Sequence, residues 1–95
     1  SIIDLNKTGN QPMKSHDSRF TIIFNGEIYN HKELRNFLVK NFGIIFKGTS
    51  DTEILLEYFA KSNIHNFFDK IEGMFSFAIF DENENTLHLA RDRAG

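Results

Sequence analysis

The 95-residue sequence contains no cysteine, no tryptophan and a single proline. Without cysteine these residues can hold no disulfide frame, no thiolate metal site and no cysteine nucleophile. The absence is compatible with a cytoplasmic location, which is the expectation adopted. No run approaches the eighteen or so apolar residues of a membrane span, and no basic-then-apolar signal segment opens the chain. A large charge of either sign is also missing. The net charge is −2 and the pI about 6.0, which argues against nucleic acid as a partner. What is present is ordinary for one globular domain, with 40% apolar and 25% charged residues, and the length is too small for two. Eleven phenylalanines imply a core filled by large rings.

Patterning predicts the elements. Ser1 to Leu5 reads as a short strand, and polar Asn6 to Ser18, with Pro12, as a loop. Phe20 to Phe24 is β-branched and aromatic on both faces, which predicts a strand covered on both sides and ended by Asn25-Gly26. A helix follows, with Asn30 as cap, Glu33 as its capping-box partner, Leu34, Phe37 and Leu38 as its stripe and Gly43 as its stop. Ile44 to Lys47 reads as a strand, and Ser50-Asp51-Thr52-Glu53 as a second capping box. That box opens a helix burying Ile54, Leu55, Tyr58 and Phe59. Ile64, Phe67, Phe68 and Ile71 mark a third helix closed by Gly73. Met74 to Phe80 is a central strand with a close neighbour expected on its Ser76 and Ala78 side, and Thr86 to Arg91 returns as a hairpin.

Chemistry is concentrated in few places. His16, His31, His65 and His88 show no metal-ligand spacing, and there is no phosphate-binding glycine loop or serine nucleophile elbow. Two readings stand for Asn25-Gly26. Asn-Gly after a strand commonly makes a hairpin turn. A side-chain amide and an uncovered glycine N–H can also stabilise the oxyanion of a tetrahedral intermediate. Two readings stand for Asp51 as well: favourable charge in a helix first turn, or, with Ser50 supplying the cap, a carboxylate free to hold a substrate ammonium.

Six blocks in order carry a resemblance: Ser1-Ile2-Ile3-Asp4-Leu5, Gly9-Asn10-Gln11-Pro12-Met13, Phe24-Asn25-Gly26-Glu27-Ile28-Tyr29-Asn30-His31, Ser50-Asp51-Thr52-Glu53, Gly73-Met74-Phe75-Ser76-Phe77-Ala78 and Arg91-Asp92-Arg93-Ala94-Gly95. Together they resemble the class II glutamine amidotransferase domain of asparagine synthetases. The resemblance implies an α+β fold of the N-terminal-nucleophile hydrolase type, a four-layer αββα sandwich that is incomplete here. It implies hydrolysis of L-glutamine, with ammonia passed to a C-terminal synthetase domain of the parent chain. In that pattern Asn25 and Gly26 form the oxyanion hole, Glu27 contacts glutamine, Asp51 holds its α-ammonium, and Ser1, Ile2 and Ile3 lie along the substrate. This domain needs no cofactor or metal. ATP and magnesium are expected in the synthetase domain.

The departures are specific. The family nucleophile is an N-terminal cysteine whose α-amine is the base, and an arginine that grips the substrate carboxylate lies just ahead of the segment matching Ser1. Neither is in these residues, so residues 1–95 are expected to be a partial domain, inactive on their own. Ser1 falls on an internal strand of the pattern and is not read as a replacement nucleophile. A non-catalytic scaffold relative and an amidotransferase acting on a cell-surface glycan precursor are the alternatives. A sheet edge left exposed would invite homodimer formation.

Overall fold

The computed structural model describes residues 11–62 and 68–91. The strand expected over Ser1 to Leu5, and Ile64 to Phe67 of the expected third helix, lie outside them. The chain is α+β. Strand β1 (Met13–Lys14), β2 (Phe20–Ile28), helix α1 (His31–Phe42), helix α2 (Asp51–Lys61), a 3-10 turn (Phe68–Lys70), β3 (Gly73–Asp81) and β4 (Thr86–Arg91) follow in order. The strands form one antiparallel sheet in the order β1-β2-β3-β4. Its register runs Phe20 opposite Asp81 to Ile28 opposite Gly73, and Ser76 opposite Arg91 to Asp81 opposite Thr86.

Alternation along the strands turns Phe20, Ile22, Phe24, Ile28, Phe75, Phe77 and Ile79 to one face, where both helices cover them. Leu34 and Leu38 of α1 enter this core, as does α2, which is buried at every position from Thr52 to Phe59. Large rings fill it, with Phe20 meeting Phe59 edge-on at 5.1 Å.

Several expectations are corrected. β2 does not stop at Asn25-Gly26 but pairs with β3 as far as Ile28, so the dipeptide is not a hairpin turn. Neither β2 nor β3 is covered on both faces by described residues. Ile23 is 44% exposed, Met74 50%, Leu87 57% and Leu89 71%, all on the side away from the helices, and Ser76 stands open there too. The double-sided apolar pattern marks a second surface rather than a second covering layer within these residues.

Part of the segment read as loop, Met13–Lys14, pairs with Ile22 and Thr21 as β1. Ile44 to Lys47 is irregular, because its backbone groups bond to helices rather than to a strand. Asn30 does not cap α1. Its side chain donates to the Lys70 carbonyl at 2.6 Å and accepts from Glu72 N–H at 3.0 Å, fastening the entry to β3. Gly43 does stop α1, in the left-handed conformation at φ 64°. Gly73 closes no helix: it opens β3, so near the Glu27 carbonyl that a Cβ would lie 2.2 Å from it.

Candidate functional site

The second half of β2 carries Asn25, Gly26 and Glu27. Gly26 takes φ 127°, and a Cβ there would fall 2.2 Å from the Met74 carbonyl oxygen and 2.7 Å from Phe75 Cα. Only glycine admits both that conformation and that backbone approach. On the edge of β2 away from β3, β1 reaches only as far as Ile22. The Gln11 amide then takes the place of a strand, accepting from Phe24 N–H and donating to its carbonyl, both at 2.7 Å. Two repeats further, Ile28 N–H donates to Asp51 Oδ2 at 2.9 Å. Gly26 lies between these two engaged positions.

Asp51 is the first residue of α2 and is put there by the chain on either side of it. Ser50 caps the helix, its Oγ accepting from Glu53 N–H at 3.3 Å. The other half of the expected capping box is absent. The Glu53 carboxylate reaches back past Ser50 to accept from Lys47 N–H at 2.8 Å and Gly48 N–H at 2.9 Å. It also meets His16 Nε2 at 2.8 Å, while Glu57, one turn on, accepts from His16 N–H at 2.8 Å. These two buried carboxylates bind the β1–β2 turn to α2. The loop before Asp51 is held from α1 as well. Arg35 donates to the Gly48 carbonyl at 3.1 Å, with its guanidinium 4.5 Å above the Phe46 ring.

Of the residues singled out from the sequence, Asn25, Gly26 and Glu27 lie in the second half of β2, and Asp51 is bonded to Ile28 at that end of the strand. Ser1, Ile2 and Ile3 lie outside the described residues. The approach is at a strand edge and not within a single face. Asn25 and Glu27 alternate with buried Phe24 and Ile28 and so stand on the open side of the sheet, whereas Asp51 arrives from the helix side. Sequence reading passed over Arg35, named Gln11 only within a motif block, set His16 aside as a metal ligand without giving it another role, and gave Glu53 only a capping role. A glutamine before the proline and a glutamate pair four apart on a helix were the available signals.

The resolved shifts in ionisation lie elsewhere. Asp81 is held down to about 2 chiefly by the Arg19 guanidinium, which binds it through two hydrogen bonds of 2.9 and 2.8 Å. The Ser15 hydroxyl lowers Asp17, and burial raises Tyr58. Among the described residues no three histidine or carboxylate side chains converge as a metal site, and no helix is long and apolar enough to cross a membrane.

Residues 1–95 match the family of the glutamine amidotransferase domain. The chain belongs to that family. Similarity to individual relatives covers these residues almost end to end. Asparagine synthetase (glutamine-hydrolysing) 2 of Bacillus subtilis is 44% identical over 95 residues, all of this chain and 12% of that protein. The amidase chyE of Penicillium rubens is 39% identical over 95 residues, all of this chain and 14% of that protein. Asparagine synthetase (glutamine-hydrolysing) 1 of Arabidopsis thaliana is 38% identical over 88 residues, 93% of this chain and 14% of that protein. The amidotransferase chain thus spans well under a fifth of the length of the curated relatives it matches.

Proposed function

We propose that residues 1–95 are part of the glutamine-hydrolysing domain of an asparagine synthetase, and that the edge of β2 from Gly26 to Ile28 is where glutamine lies. The observation that carries this reading is the Asp51 carboxylate fixed on Ile28 N–H, one strand repeat from Gly26. That repeat is about 7 Å, close to the span of an extended glutamine from its ammonium to its side-chain amide. Asp51 would hold the ammonium, and Glu27 a further polar group of the substrate. Gly26 N–H and the Asn25 amide would stabilise the oxyanion formed when the side-chain amide is attacked. Backbone and amide donors held in a sheet need little reorganisation as that charge develops, which is why a strand edge suits the task.

The attacking group is not among these residues, since the chain has no cysteine. The reading therefore assigns the nucleophile, and the partner of the substrate carboxylate, to other parts of a longer polypeptide. ATP, magnesium and the ammonia acceptor are assigned to a synthetase domain there. The rest of the glutamine-hydrolysing domain, elsewhere in that polypeptide, would supply a second sheet, completing a four-layer sandwich over the open face that carries Ile23, Met74 and Leu89. The likeness to a protein named an amidase favours a second reading, in which the released ammonia serves an acceptor other than aspartate.

The test is glutamate release from glutamine by the full-length protein. Asn25→Ala is expected to lower turnover on the order of a hundred- to thousandfold. Asp51→Asn is expected to act mainly on the KM for glutamine. Unchanged kinetics in both variants would remove the site from β2.

A further inference from the structure

The carboxylate read here as the ammonium anchor sits on a helix terminus, and a helix terminus is only as well placed as the chain leading into it. That chain is gripped at one residue from two sides. Gly48, three residues before Asp51, has its N–H on Glu53 Oε1 at 2.9 Å and its carbonyl on Arg35 Nη1 at 3.1 Å. Lys47 N–H adds a 2.8 Å bond to the other oxygen of Glu53. Glu53 belongs to the helix that Asp51 begins, and Arg35 to the neighbouring helix. The glycine is therefore the point at which the start of α2 is registered against α1.

We infer that Arg35 and Glu53 are positioning residues for glutamine binding, which they serve by holding Gly48 and with it the Asp51 carboxylate at the edge of β2. The inference rests on the glutamine-site reading above. Neither residue need touch substrate. Arg35 is the sharper of the two because it is only half-buried and spans two elements. Its guanidinium gives one donor to Gly48 while its flat face rests on Phe46, a combination that lysine cannot reproduce. Glu53 is buried, and its carboxylate accepts from two backbone N–H groups while also meeting His16 Nε2 at 2.8 Å. A glutamine in its place would turn an NH₂ toward one of those donors.

Displacement of a binding group by an ångström or so weakens the complex it orients without altering the reacting atoms. The full-length protein should therefore show a split in its kinetics. Arg35→Met, which keeps an apolar body over Phe46 but removes the donor, is expected to raise the KM for glutamine about three- to tenfold with kcat within about twofold. Glu53→Gln should do the same or more. Arg35→Lys, which keeps a donor and loses the flat stack, should fall between Arg35→Met and the parent protein.

Asp51→Asn is the reference. If it raises KM while Arg35→Met and Glu53→Gln leave KM unchanged, the positioning role is overturned and the glutamine site stands. If Asp51→Asn has no effect on KM, the site reading falls and the positioning role falls with it. A fall in kcat at constant KM in both Arg35→Met and Glu53→Gln also overturns the inference, because it places their effect on the chemical step. Circular dichroism melts of each variant separate these outcomes from loss of fold. Should Glu53→Gln fail to fold, the surface-accessible Arg35 pair decides alone.

Discussion

At Asp81 a single buried carboxylate closes two structures at once. It binds the Arg19 guanidinium and accepts from Asn83 and Glu84 N–H at 3.0 and 3.2 Å, shaping the β3–β4 turn. Because its folded pKa is held at about 2, its contribution is complete above the ordinary carboxylate value of about 3.9 and is lost as pH falls through about 2. The urea midpoint of the 95-residue chain should accordingly decline between pH 4 and pH 2. Asp81→Asn should flatten that part of the curve, and an unaltered slope would show that the ion pair does not set the acid limb. Two glycines make a second contrast at this scale. Both have positive φ, but Gly43 has open space around it, whereas Gly26 lies against the β3 backbone. Gly43→Ala should cost about 1 kcal/mol, the strain of the left-handed conformation alone. Gly26→Ala should cost about 3 kcal/mol or more, because Met74 and Phe75 must also move. Equal costs in denaturant titrations would refute the close approach.

Among the elements, the helices were the most legible. Leu34 and Leu38 repeat at helical spacing, Gly43 ends α1, and Ser50 caps α2, so local propensity and burial agree. Partner choice was less legible. Asn30 was read as a helix cap and Glu53 as the return half of a capping box, and each side chain instead binds other backbone: Lys70 and Glu72 in one case, Lys47 and Gly48 in the other. A polar side chain at a helix start can satisfy several backbone groups equally well. Which one it meets depends on what the rest of the fold brings near. The same holds for β2. Its apolar residues fixed a strand, but its extent through Asn25-Gly26 depends on β3 offering partners as far as Gly73.

At the scale of the whole sheet, the described core lies on one side, and among the described residues nothing covers the other. Ile23, Ala78 and Leu89 line up across the three long strands on that open face. Their composition is that of a covered surface, and the four-layer arrangement proposed above supplies the cover. The proposal separates two measurements. In the 95-residue chain, Leu89→Lys should change stability by no more than about 0.5 kcal/mol, since the side chain is already in water. In the full-length protein the same change should cost about 2–3 kcal/mol, because an unpaired ammonium would be buried between sheets. Equal small effects in both would mean that the face stays open.

The two long helices, the three longer strands, the ring-filled core and membership of the amidotransferase family are written in apolar spacing and in motif blocks, which are local and survive being read one segment at a time. The edge shared by Gly26 and Asp51, the grip on Gly48 and the depressed Asp81 were decided only by the tertiary structure. The bonds from Arg35 to Gly48, Ile28 to Asp51 and Arg19 to Asp81 join groups 13, 23 and 62 positions apart in the chain. Hydrogen bonds are short-ranged and directional, so no spacing rule within one segment can say which donor will find which acceptor once the chain has closed.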